Sequence, residues 1–124
     1  MQTQTILSFS LRIDAVDPLS VVKTNVENAL DCQLRGGSYA DVSAFVGELL
    51  GMRIGLLPWR GIDGKATYQL HGGPDLKELH TRDWQEIRID QAILDLLRER
   101  KAGIWRIPSP EELRAEGNYH GEDM

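Results

Sequence analysis

The chain reads as an α+β domain: a single, largely antiparallel sheet of about four strands packed with three main helices and a short C-terminal helical segment. Three observations predict it. Several short runs alternate apolar and polar residues with a period of two, the signature of strands buried on one face. Other runs repeat apolar residues at i, i+3, i+4 and i+7, the stripe of a helix lying on a core. The two central alternating runs are joined by a Pro and Asp-Gly connection short enough to pair them antiparallel.

Residues 5–13 set Leu7, Phe9, Leu11 and Ile13 against Ile6, Ser8, Ser10 and Arg12, a half-buried strand. Asp17-Pro18 then reads as an N-cap followed by proline at the first helical position. Leu19, Val22, Val26, Ala29 and Leu30 carry that helix to about Asp31. After Gly36-Gly37 the positions of Val42, Phe45, Val46, Leu49 and Leu50 predict a second helix, opened by Ser38 or Tyr39 and ended by Gly51. Met52, Ile54 and Leu56 resume alternation, as do Ala66, Tyr68 and Leu70 after the connection 58–64. Residues 75–83 are polar and read as loop, and 84–89 predict a further short strand with Ile87 and Ile89 facing inward.

Asp90 is placed to cap a third helix with Ile93, Leu94, Leu96 and Leu97 as its apolar face. Arg98, Arg100 and Lys101 form its basic end, complementing the dipole, and Gly103 its stop. Ser109-Pro110-Glu111-Glu112 satisfies a capping box, so a last helical turn or two follows. Residues 1–117 make one domain, and 118–124 are expected to fray as an acidic tail.

With 124 residues, 41% apolar and 27% charged, the composition is that of an ordinary globular protein. No apolar run is long enough for a spanning helix, and no Lys or Arg precedes Arg12 as a signal peptide would require. A cytoplasmic location is the expectation, in keeping with a single cysteine, Cys32. The formal net charge of −5 is concentrated: residues 111–124 hold five carboxylates against Arg114 alone. A basic stripe for phosphates is missing, which argues against direct nucleic-acid binding.

His71, His80 and His120 are too scattered for a ligand pair, and no metal or cofactor is expected. Cys32 has no adjacent histidine or basic cluster and reads as structural. Gly36-Gly37 and Gly72-Gly73 fit turns better than phosphate cradles. The residues that stand out are large or charged ones in polar surroundings. Trp59 and Arg60 fall at the tip of a connection that also holds Asp63, and Asp75 and Glu78 follow in the next loop. An exposed aromatic with acidic neighbours suits a binding hot spot, although Trp59 folded back over the sheet edge fits the sequence equally.

The run Phe45-x-x-Glu48-Leu49-Leu50-Gly51, the strand Met52-Arg53-Ile54-Gly55-Leu56 and the later Tyr68-Gln69-Leu70-x-Gly72 form a pattern. With Ile87-Arg88-Ile89-Asp90, Ile93-x-x-Leu96-Leu97 and Trp105-x-x-Pro108-Ser109, it resembles the immunity proteins of bacterial polymorphic-toxin and contact-dependent inhibition systems. The resemblance implies a noncatalytic inhibitor, monomeric or weakly dimeric, that blocks the active site or substrate channel of a cognate toxin domain, often a nuclease. Carboxylates facing a basic cleft would speed such an encounter. The expected contact is Trp59, Asp63, Asp75 and Glu78, with Glu111 and Glu112 as a second group that would join them if the tail packs beside 75–78.

Two other classes stay open on the residues alone. One is a small-molecule-binding or enzymatic domain with a pocket between the second helix and the sheet, with His71 and Tyr68 at its mouth. The other is a subunit of a homo-oligomer joined through a sheet edge or the connector 104–107.

Overall fold

A computed structural model describes residues 4–14, 16–60, 66–74 and 83–122, with the side chains of 59, 60, 66 and 117–122 outside the description. The elements are β1 (Gln4–Asp14), α1 (Leu19–Leu30), β2 (Arg35–Tyr39), β3 (Val42–Leu49), β4 (Met52–Arg60), β5 (Ala66–Gly73), β6 (Trp84–Arg88), α2 (Asp90–Glu99) and α3 (Pro110–Glu122). The class is α+β, with a six-stranded mixed sheet in the order β2-β3-β4-β5-β1-β6. β1 and β6 are parallel and every other neighbouring pair is antiparallel.

The second helix expected over 38–50 is instead the hairpin β2–β3. Positions 42, 45, 46 and 49 satisfy a helical stripe on paper, but Tyr39, Val42, Phe45 and Val46 are aromatic or β-branched and suit a pleated surface. Ala40 and Asp41, and then Leu50 and Gly51, all take positive φ, as two-residue turns of the I′ kind require. Each turn therefore returns the chain antiparallel, pairing Tyr39 with Val42 and Leu49 with Met52. Gly47 is required where it stands: a Cβ there would come 2.3 Å from the carbonyl oxygen of Gln33.

One face of the sheet carries the core. Phe9 and Leu11 of β1, Met52, Ile54 and Leu56 of β4, and Leu70 of β5 pack with Val22 and Val26 of α1, with Ile93, Leu94 and Leu97 of α2, and with Trp105. α1 starts at Leu19 with Pro18 at the N-cap, one residue later than expected, and Val21 and Val22 donate to the Pro18 carbonyl. α2 starts at Asp90 with Ile89 at its N-cap, so Asp90 is not the cap; its carboxylate is used elsewhere. The basic end of α2 serves its neighbours: Arg100 Nη1 donates to Ala29 O in the last turn of α1 at 2.7 Å, and Arg98 Nη2 to Trp105 O at 3.2 Å.

The outer edge of β1 is filled in succession by three partners. β6 covers Gln4–Ser8, the Asp90 carboxylate accepts from Ser10 N at 2.7 Å, and Arg106 exchanges two backbone hydrogen bonds with Arg12. Arg12 alternates away from Leu11 and Ile13 and meets α3, so α3 lies on the face opposite α1 and α2. It is a full helix of 13 residues, longer than the turn or two expected. Among the described residues no helix is long and apolar enough to cross a membrane.

Candidate functional site

Strand direction puts the flanks of the two expected contact segments at different ends of the sheet. β4 runs to Arg60 and β5 returns from Ala66, so both flanks of 61–65 lie at the end where Asp14 of β1 pairs with Thr67. Pro74 follows Gly73 at the other end, as does Asp83, which accepts from Gln4 N. The eight residues of β5 put more than about 20 Å between these ends. Asp63, Asp75 and Glu78 themselves lie outside the described residues. Trp59 pairs through its backbone with Thr67, and its side chain is likewise outside the description.

Glu111 and Glu112 open α3 at the Asp14 end. Half of the capping box forms: Glu112 N donates to Ser109 Oγ at 3.1 Å. The Glu112 carboxylate does not reach back to Ser109. It accepts from Arg106 Nη2 at 2.6 Å, while Arg106 Nη1 donates to Asp14 Oδ1 at 2.9 Å. One guanidinium thus ties the end of β1 to the first turn of α3. Burial opposes the charge of Arg106, but the Glu112 and Asp14 carboxylates outweigh it and raise its pKa. One turn further on, Arg12 and Glu116, both buried, form a second tie. Glu111 is left pointing outward, its side chain 79% exposed and held only by a long, 3.8 Å ion pair to the likewise exposed Arg114 of the next turn. The first turn of α3 is therefore distant from the flanks of 75–82, and Glu111 and Glu112 do not adjoin them.

Beneath α3 a hydrogen-bonded chain crosses the sheet. Arg12 Nη1 donates to Ser10 Oγ at 2.7 Å, Ser10 Oγ lies 3.0 Å from His71 Nδ1, and His71 Nε2 lies 2.6 Å from Gln69 Oε1. The Gln69 carbonyl can only accept, which assigns the proton to Nε2 and leaves Nδ1 to accept from the serine. Burial, aided by the charge of Arg12, lowers the His71 pKa to about 4. The ring is neutral near pH 7 and both nitrogens are occupied, so it aligns two strands. Tyr39 stacks on it at 6.0 Å, lying where a Cβ on Gly55 would clash.

Next to this chain, Arg88 holds Asp90 through Nε and Nη2, both at 2.9 Å, and Glu86 through Nη1 at 3.2 Å. Burial pushes the Asp90 carboxyl up, but the hydrogen bonds from Arg88 and Ser10 N prevail and hold it below the usual range. Sequence reasoning did not connect these groups. The available signal was parity: Ser8, Ser10 and Arg12 share one face of β1, and Gln69 and His71 share one face of β5.

An open depression of about 1240 Å³ lies at the C-terminal end of α1, lined among others by Asp31, Cys32, Arg35, Glu48 and Arg53. Burial, with Glu27 and Asp31 nearby, raises the Cys32 thiol pKa, consistent with an unreactive cysteine. The pocket expected beside a second helix is absent because 38–50 is strand, and His71 and Tyr68, three residues apart on β5, face opposite sides of the sheet. Among the described residues no cluster of three His, Cys, Asp or Glu could hold a metal. No protein-family model, curated protein or solved structure matches the chain.

Proposed function

We propose that the protein is an immunity-type inhibitor that binds a cognate toxin domain, a nuclease in the simplest case, through the end of the sheet shared by the first turn of α3 and the β4–β5 connection. The observation that supports it most is the fastening of α3. Two arginine–carboxylate ties hold its first two turns against β1, while Glu111 stays exposed with only a long, 3.8 Å ion pair to Arg114. A carboxylate fixed on a rigid element loses little freedom on binding and can complement a phosphate-binding cleft. Asp63, whose flanks lie at the same end, and Trp59 complete the proposed contact. Asp75 and Glu78 are left out of the proposed contact, because the flanks of 75–82 lie at the other end of the sheet.

The groups that could carry chemistry are consistent with this reading, because His71, Ser10, Asp90 and Glu112 are each engaged in internal hydrogen bonds. The test is capture of the toxin with the tagged protein from its producing strain, followed by assay of the captured domain. Equimolar inhibitor must stop substrate cleavage, and D63K/E111K must release it. Recovery of bait alone from cells that express the toxin overturns the proposal.

A second reading is favoured by the depression beside α1, whose mixed carboxylates and guanidiniums suit a small zwitterionic ligand. Thermal stabilisation by such a ligand, lost in R35A/R53A, is the outcome that would favour it.

A further inference from the structure

We propose that β6 is a self-complementary edge through which two copies of the chain join into one continuous sheet, an inference that stands independently of the toxin reading. Among the described residues β6 ends the sheet, and all five of its residues are exposed. Its hydrogen-bonding phase follows from the two bonds that bracket it. Gln4 N donates to Asp83 O and Ile89 N donates to Ser8 O, so in a parallel ladder residues 85 and 87 bond inward to β1. The N–H and C=O groups of Trp84, Glu86 and Arg88 therefore point away from the sheet, an edge with three donors and three acceptors available for strand addition.

The side chains select both the partner and its register. Glu86 and Arg88 stand two apart on the same face of β6. A like-charged edge would repel a second copy. Here an antiparallel copy centred on Ile87 sets each Glu86 opposite the other chain's Arg88, and those positions are the ones whose backbone groups point outward. Four main-chain hydrogen bonds form, and Ile87 faces Ile87 as the closely spaced, non-hydrogen-bonded pair. Both isoleucines are 43% exposed in the single chain and would cover each other. The competing register centred on Glu86 places two carboxylates face to face and is disfavoured.

The arrangement is isologous and closes as a twofold dimer. A single strand pair buries less than the roughly 1,200 Å² of a stable complex, so the dimer forms over about 1 μM to 1 mM. It leaves the end bearing Asp14 and Glu111 free, since β6 covers only Gln4–Ser8 of β1.

The experiment combines light scattering with cysteine trapping of the full chain in a C32S background. I87C is expected to cross-link to itself under mild oxidation, because directly opposed residues bring Cα atoms within disulfide reach. E86C is expected not to cross-link, since the two copies of residue 86 would be about 8 Å apart along the diagonal of the ladder. E86R should weaken the dimer at least about tenfold by opposing two arginine pairs, and mixing E86R with R88E should restore it because every cross-strand pair is then of opposite charge. A chain that is monomeric at about 1 mM, a dimer indifferent to E86R, or trapping by E86C in place of I87C would each overturn the proposal. The trapping result stands even if R88E fails to fold.

Discussion

Arg12 and Glu116 meet in a two-pronged pair, Nε to Oε2 at 2.9 Å and Nη2 to Oε1 at 2.8 Å, joining β1 to α3 across 104 positions of sequence. Arg12 is only 2% exposed, so this carboxylate takes the place of water around its guanidinium. E116A is expected to destabilise the fold by about 3–5 kcal/mol because it strands a buried guanidinium. R12M/E116L, which removes both charges, should recover most of that loss. Urea unfolding of the three proteins checks the difference, and equal stability of E116A and the wild type would refute it.

His71 makes stability depend on mild acid. Its pKa of about 4 in the fold lies below the ordinary 6.5, so between those values the unfolded chain binds a proton that the native protein refuses. Stability is full above pH 6.5, falls as pH drops toward 4, and loses nothing more from this group below that. The loss is on the order of 3 kcal/mol. H71Q should flatten that part of the urea-derived pH profile, with His80 and His120 common to both proteins. An unchanged slope would show that the ring does not carry it.

Two glycines offer a matched test of packing in β2 and β3. G47A drives a methyl against the Gln33 carbonyl and is expected to cost about 2–3 kcal/mol. G36A, where a Cβ meets nothing within 4 Å, should stay within about 0.5 kcal/mol of the wild type. Similar melting temperatures for the two variants would contradict the close approach of β3 to residue 33.

At the proposed toxin contact, W59A, D63A and E111A are each expected to weaken binding by more than about 1 kcal/mol. D63A and E111A should act chiefly on the association rate, and the wild-type rate should fall as salt is raised. Titration calorimetry and stopped-flow with the captured toxin domain give both quantities. Affinity unmoved by all three variants would place the contact elsewhere.

Much of the architecture was legible in the chain. Alternation in 5–13, 52–57, 66–70 and 84–89 marks strands that the structure contains, although β6 ends at Arg88 and Ile87, expected to face inward, is 43% exposed; the stripes of α1 and α2 mark helices that lie on the core. Residues 38–50 misled because five apolar positions in a 13-residue window match a helical period whatever the backbone does. The decisive information was two turns with positive φ, and of Ala40, Asp41, Leu50 and Gly51 only the glycine announces one. The polar chain under α3 was harder still, since Ser10 and His71 lie 61 positions apart and only the register Ser10↔His71 brings them together. Trp105 is fully buried, whereas Trp84 is half exposed on the edge strand, a difference that residue type alone does not announce.

The position of β1 inside the sheet also sets a schedule for the nascent chain. It lies between β5 and β6, pairing Phe9 with Gly72 and Gln4 with Trp84, so β1 waits for partners made some 60 to 80 residues after it. β2 to β5, by contrast, form a meander of neighbours that can assemble as it leaves the ribosome. β1 cannot join the sheet before β5 exists, and until then the apolar face that carries Phe9 and Leu11 stays uncovered by it.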